Sequence, residues 1–288
     1  MTGWRYPAMV TALLAPGVGV LLLLFGLPLL YALGSSFGIG VIGQASGGFT
    51  LEHYRALLTT RAYRDGLTFS FYLSLVPTLI ALVIALPLAV ALREHFPGRR
   101  LFVTLYQMPL VVPSIVAAFL VLILLDRGGM LWRLLLPLGI TMPRLVRDEW
   151  AVGTVIAMVW KAVPFMTVII AGAVAAIPED LRLAARTLGA TGPRVFWWVD
   201  LPLALPGITA ATLLVFVGSV GAFAVPNLLG PAYPEPLSLH MYRHAYELNN
   251  WGLVSAMGTL LSVVAVLVLL AYYAVTRRMR AAFGGEVR

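Results

Sequence analysis

Very few side chains of this chain have both the type and the spacing that chemistry needs. His240 and His244 stand four residues apart, a spacing that would set two imidazoles on one helical face as metal ligands require. No third ligand stands near them beyond Glu247, and the segment reads as a loop outside any apolar run, so they are expected to be solvated or to face a partner. The remaining histidines, His53 and His95, are scattered, and with 0 cysteines the chain has no thiolate ligand, disulfide or cysteine nucleophile. Gly38-x-Gly40 and Gly47-Gly48 lack a following Lys-Ser/Thr, so no phosphate-binding loop is expected and the chain is not expected to hydrolyse ATP itself. No acid, base or metal-binding groups converge at an interface as a lipid-modifying enzyme would need. The chain is therefore expected to be non-catalytic, with no metal or cofactor of its own. Two features remain: Lys161 beside Trp160 in an otherwise uncharged run, and a segment over residues 177–206 that orders charges, small residues, glycines and prolines.

The elements that must position them are set by composition. Hydrophobic residues make up 60% of the 288 and charged ones 11%, against roughly 25% charged in soluble globular proteins. So few charges cannot coat a soluble surface, and the chain belongs in a bilayer. About 20 apolar residues cross a bilayer. Reading between charges yields six such runs: Ala8–Leu33, Gly66–Leu92, Leu101–Leu125, Trp150–Ile177, Leu201–Phe223 and Trp251–Val275. Barrel strands would show alternating segments of about 10 residues, so the expected fold is all-α, a polytopic membrane protein with six transmembrane helices. Every acid lies outside these runs, which counts against an autonomous transporter driven by protons or sodium.

The net charge of +8 is read as orientation rather than nucleic-acid binding. Arg5, Arg93, Arg99, Arg100, Arg182, Arg186, Arg194 and the tail's Arg277, Arg278, Arg280 and Arg288 gather on one side, which places both termini in the cytoplasm. Prolines at 16, 28, 77, 87, 109, 113, 164 and 206 are expected to kink the spans, with neighbouring helices compensating the lost bonds.

Segment 177–206 has the grammar of a helix, a break and a second short helix. Pro178 suits a helix start, and Glu179 and Asp180 sit in a first turn where the dipole favours anions. Leu181, Ala184, Ala185 and Leu188 recur at helical spacing and predict one narrow apolar face, and Gly189 is the expected C-terminal cap. Pro193 opens the next helix, and Leu201-Pro202 leads into the fifth run.

With those residues in view, the chain resembles the membrane permease subunits of binding-protein-dependent ABC importers of the type I fold. Their cytoplasmic motif runs Glu-Ala-Ala, three residues, Gly, nine residues, then aliphatic-x-Leu-Pro; here Ala184, Ala185, Gly189, Val199, Leu201 and Pro202 fall at that spacing. The resemblance implies an importer core over residues 66–275 containing a coupling loop over 178–200, preceded by an added first helix and outer loop over 1–65 and followed by a basic cytoplasmic tail over 276–288. It implies that Leu181, Leu183, Ala184, Ala185, Arg186, Leu188 and Gly189 dock on an ATPase. Leu183 stands where the family usually has Glu, so that residue's ionic contact is not expected here. The implied partners are two ATPase subunits carrying ATP and Mg, a second permease subunit, similar or identical, a periplasmic or lipid-anchored substrate-binding protein, and membrane lipid, since the chain itself is implied to be a multi-pass protein of the bacterial inner membrane.

Lys161 lies about 17 Å from the outer end of its run at about 1.5 Å per residue. An ionisable group at such depth costs about 2.5–3.5 kcal/mol and faces a cavity or a partner. It is either held by loosened carbonyls near Pro164 or exposed to the translocation path, and Trp160 is a candidate beside it. Gly221–Gly230, with Phe223 and Asn227, resembles the stretch that polyamine (spermidine/putrescine)-type permeases carry there, except that Ala222 replaces an acid found in many of them. The expected cargo is a small polar solute of that branch; sugar, phosphonate and iron importers share the fold.

Overall fold

The computed structural model describes residues 5–43, 48–94 and 96–283. Gly47, His95 and Arg288 lie outside them, as do the side chains of Arg5, Arg277, Arg278 and Arg280. Among the described residues all regular structure is helical, and six helices are long and apolar enough to cross a membrane. We number these spans one to six: Met9–Ser36, Arg61–Ala91, Ser114–Leu138, Val152–Ala175, Gly192–Val220 and Trp251–Ala274. By contacts the chain divides into two compact units, Met1–Arg64 with His240–Val263, and Asp65–Leu239 with Val264–Arg288.

In the larger unit the core is a layered contact of spans two, four and five. Ala81, Ala85 and Ala89 recur every fourth residue on span two and let its backbone approach Met166, Ile170 and Val174 of span four and Ile208, Ala211 and Val215 of span five. Span five comes so close to span four that a Cβ at Gly207 would stand 2.3 Å from the Ala173 Cβ, which is why the residue after Pro206 carries no side chain. The buried hydroxyls of Ser70, Ser74 and Thr78 donate to carbonyls one turn back on span two, so no polar atom of theirs is stranded. Most large side chains on the outer surfaces are exposed, Leu13 at 73% and Val83 at 72% among them, as lipid contact requires.

Three expectations are corrected. The run Leu101–Leu125 is not one helix: Arg99–Val111 ends at an extended Val112, and Ser114–Leu125 begins anew after Pro113. Pro77, Pro87, Pro164 and Pro206 lie inside helices that continue past them, so Pro113 differs in kind. Second, the acids do not all lie outside the spans, because Asp65 sits within Arg61–Ala91, Asp126 within Ser114–Leu138 and Asp200 within Gly192–Val220. Third, His240 and His244 are not in a loop. They lie on the helix Leu237–Tyr246, half-buried, with both rings edge-on to Tyr63 and His244 Nε2 hydrogen-bonded to the Tyr63 hydroxyl at 2.9 Å. Burial pushes the His244 imidazole below its ordinary value by disfavouring the charged ring.

Two π-turns mark the helices. Leu22–Gly26 closes on Leu27 just before Pro28, and Phe196–Asp200 closes on Leu201 just before Pro202. In each the widened turn relieves the proline ring's pressure on the preceding carbonyls.

Candidate functional site

The loop between spans four and five is built from its ends inward. Pro178 is extended (φ −56°, ψ 134°) and breaks from span four, and Glu179–Thr187 follows as a helix with Glu179 and Asp180 in its first turn. Its far end closes as a Schellman motif: Ala190 N–H donates to the Ala185 carbonyl at 3.0 Å and Gly189 N–H to that of Arg186 at 2.9 Å. Gly189 is left-handed at φ +84°, where a Cβ is penalised. Thr191 is extended, and Gly192–Val195 then runs through the π-turn into Leu201–Val220, so the second short helix is the opening turn of span five, one continuous piece of 29 residues.

The loop helix is amphipathic in reverse. Its inward side carries Arg182, only 2% exposed. Arg182 Nε donates to Asp200 Oδ1 at 2.5 Å, Nη2 to the Val174 carbonyl at 2.8 Å, and Nη1 to both the Ile177 carbonyl and Glu179 Oε2 at 3.2 Å. Asp200 is itself buried, and its other oxygen lies 3.5 Å from Arg93 Nη1 at the end of span two. Arg99 meanwhile caps the same end of span two, donating from Nε and Nη2 to the Leu92 carbonyl at 3.0 and 2.9 Å. The end of span two, the end of span four and the start of span five therefore meet on one side, as alternating spans require.

The apolar face points the other way. Leu181, Leu183, Ala184 and Arg186 are exposed, Leu188 is 89% exposed, and Ala185 alone of the stripe is half-buried. Fully covering a leucine stabilises by about 1.5–3 kcal/mol, so this face is left open against its own preference. Trp197 and Trp198 are exposed beside Pro193 and Arg194.

The second candidate region is a cavity of about 500 Å³ in the same unit, lined by Ser114, Met158, Lys161, Phe165, Ser219 and Phe223 among others. Lys161 Nζ donates to the Val112 carbonyl, the acceptor freed where the third apolar run breaks. The bond goes to the break before Pro113, not to carbonyls near Pro164. Lys161 and Phe223 thus share one cavity. Trp160 lines a separate groove with Tyr106 and Pro164, and Asn227 is exposed on the helix Ala224–Leu229, so the four candidates for a path divide. Among the described residues no three metal-ligating side chains cluster.

Arg182, Asp200 and Arg93 were invisible as a site in the sequence. Arg182 and Asp200 are 18 residues apart, and no helical or strand period joins them. The available signal was Asp200 itself, a carboxylate at the free position of aliphatic-x-Leu-Pro.

Residues 78–281 match the family model described as binding-protein-dependent transport system inner membrane component. The chain is 30% identical over 267 residues to the spermidine/putrescine transport system permease protein PotB of Escherichia coli (strain K12), covering 90% of this chain and 95% of that one. It is 34% identical over 179 residues to the molybdenum transport system permease protein ModB of the same organism, covering 58% of this chain and 76% of that one. Among solved structures, a chain of a bacterial ABC transporter involved in the import of the acidic polysaccharide alginate superposes with a TM-score of 0.81 at 19% identity, covering 95% of this chain and 96% of that one.

Proposed function

This chain belongs to the family of binding-protein-dependent transport system inner membrane components, an ABC importer permease of the type I fold, and from that premise we propose that it forms the translocation path for a small polar solute while its 178–200 loop receives the force of a separate ATPase. The observation that carries the reading is the reversed amphipathicity of Glu179–Thr187: a buried cation fastens its inner side, and Leu181 and Leu188 stand open on the outer. An apolar ridge held rigidly off the membrane helices is shaped for a groove on another protein. Leu183 adds apolar surface where the family has a glutamate, so docking here rests on packing rather than on that ion pair.

ATP and Mg belong to two ATPase subunits, a second permease completes the path, and a binding protein delivers the solute. One solved relative is described as an alginate transporter in complex with a pentasaccharide-bound periplasmic protein, which is consistent with such a partner. The side bearing Arg93, Arg99, Arg182 and Arg194 faces the cytoplasm, as do both termini.

Likeness to a spermidine/putrescine permease over most of both chains supports a polyamine-type cargo. A second reading, an anionic solute, is favoured by Lys161 as the ionisable side chain lining the cavity. The function is tested by isolating the chain from its native membrane. An ATPase should co-purify, and vesicles holding the chain alone should not accumulate solute. Uptake by the chain alone would make it an autonomous transporter instead.

A further inference from the structure

The clasp around Arg182 has features of a mechanical joint rather than of packing alone. Four acceptors from three elements converge on one guanidinium: carbonyls of Val174 and Ile177 at the end of span four, Glu179 on the loop helix, and Asp200 in the π-turn near the start of span five. Arg93 extends it to span two through the second oxygen of Asp200. Guanidinium is planar and presents its donors in a fixed fork, so it sets angles between these elements that a hydrophobic contact would leave free to slide. A buried ion pair is a poor source of net stability, since well-packed apolar residues of similar volume often do as well. What it supplies is geometry, and removing one partner strands a charge in a dry site.

We propose that the Arg182–Asp200 clasp is the positioning element that makes the loop helix and the inner ends of spans four and five move as one body, so that displacement of the Leu181/Leu188 face is delivered to the helices rather than lost in the loop. This rests on the reading of 178–200 as the ATPase-docking loop. Arg182 touches neither cargo nor nucleotide and acts through the elements it ties. The continuous helix Gly192–Val220 is the lever, and Asp200 is the point at which the loop grips it. The π-turn serves the grip, because Phe196–Asp200 is where that helix is widened before Pro202.

The test uses the whole reconstituted complex with Asp200→Asn, Arg182→Met, Arg182→Lys and Arg93→Gln, the last two being mild enough to keep the chain folded if the others do not insert. Three quantities are read: the amount of ATPase bound, disulfide or bifunctional cross-linking of the ATPase to a cysteine placed at Leu188, and solute taken up per ATP hydrolysed. Binding and cross-linking should persist while uptake per ATP falls about tenfold or more in Asp200→Asn and Arg182→Met, as an uncompensated buried charge dislocates the joint. Arg182→Lys should fall between, keeping the charge and losing the fork, and Arg93→Gln should lose least. If uptake per ATP stays at the wild-type value in assembled complexes, or declines only as assembly declines, the clasp is structural and the inference is overturned. If the Leu188 cysteine fails to cross-link even with no other change, the docking role of the loop fails first, and the two failures are told apart.

Discussion

The loop between spans four and five and the cavity around Lys161 each hold one buried or half-buried cation, and they satisfy it in opposite ways. Arg182 spends its donors on two carboxylates and two main-chain carbonyls within a closed site. Lys161 gives one of its donors to the Val112 carbonyl, and among the described residues no carboxylate pairs with it, while a cavity of about 500 Å³ opens beside it. A cation whose donors are consumed by its own protein fixes geometry. A cation with donors to spare beside open volume can meet a solute. On the proposed reading the first serves force transmission, just beyond the inner end of span four, and the second serves passage from within that span.

The contrast can be broken at its strongest point first. Gly189→Glu puts a side chain on a left-handed residue at φ +84° and disrupts the Schellman closure that aims the loop helix; left-handed geometry costs roughly 1–2 kcal/mol for a residue with a Cβ. With a charge added beside Leu188, uptake should fall more than about tenfold while membrane insertion stays normal, which a transport assay against membrane protein content would read. Wild-type uptake would remove the loop from its role.

Lys161→Met sharpens the other side of the comparison, with a smaller effect that depends on cargo. It strips the partner from the Val112 carbonyl, an unsatisfied group that costs about 1–3 kcal/mol, and removes the positive charge from the cavity. Uptake of an anionic solute should fall several-fold, and uptake of a cation should hold or rise, when both are measured at equal expression. An equal loss for both cargoes would reduce Lys161 to a brace for the broken helix.

Leu183→Glu should do least. The side chain is exposed and touches none of the clasp, and surface changes of that kind usually stay within about 0.5 kcal/mol. Uptake should remain within about twofold of wild type, or ATPase binding should tighten if the partner groove offers an arginine. A collapse of uptake would mean the apolar Leu183 contact is itself needed for docking.

The sequence made the spans legible because a bilayer imposes long uncharged runs, and the loop legible because its glycine and prolines answer to local backbone rules. Gly189 reads as a C-terminal cap from spacing alone, and it is left-handed in the structure. The break at Val112-Pro113 was not legible. A proline removes the same bond whether its helix bends or stops, and stopping here is matched by an acceptor for Lys161, 49 residues along the chain. The outward turn of the Leu181/Leu188 face was implied by the family resemblance but not by the residues' own pattern, for a related reason. Periodicity shows that one face is apolar but not which face meets its own chain, and Arg182 decided it through partners that no local pattern announces.

The open face of the 179–187 helix, with Leu188 at its end, is the surface proposed to meet an ATPase. Because the chain has 0 cysteines, a single Leu188→Cys variant is unique, and Leu138→Cys, 71% exposed at the other side of the membrane in the proposed topology, is its control. In active complexes treated with a short bifunctional thiol reagent, the account predicts an adduct between this chain and the ATPase at position 188 and none at position 138. An active complex with no adduct at 188, or with one at 138, would contradict it.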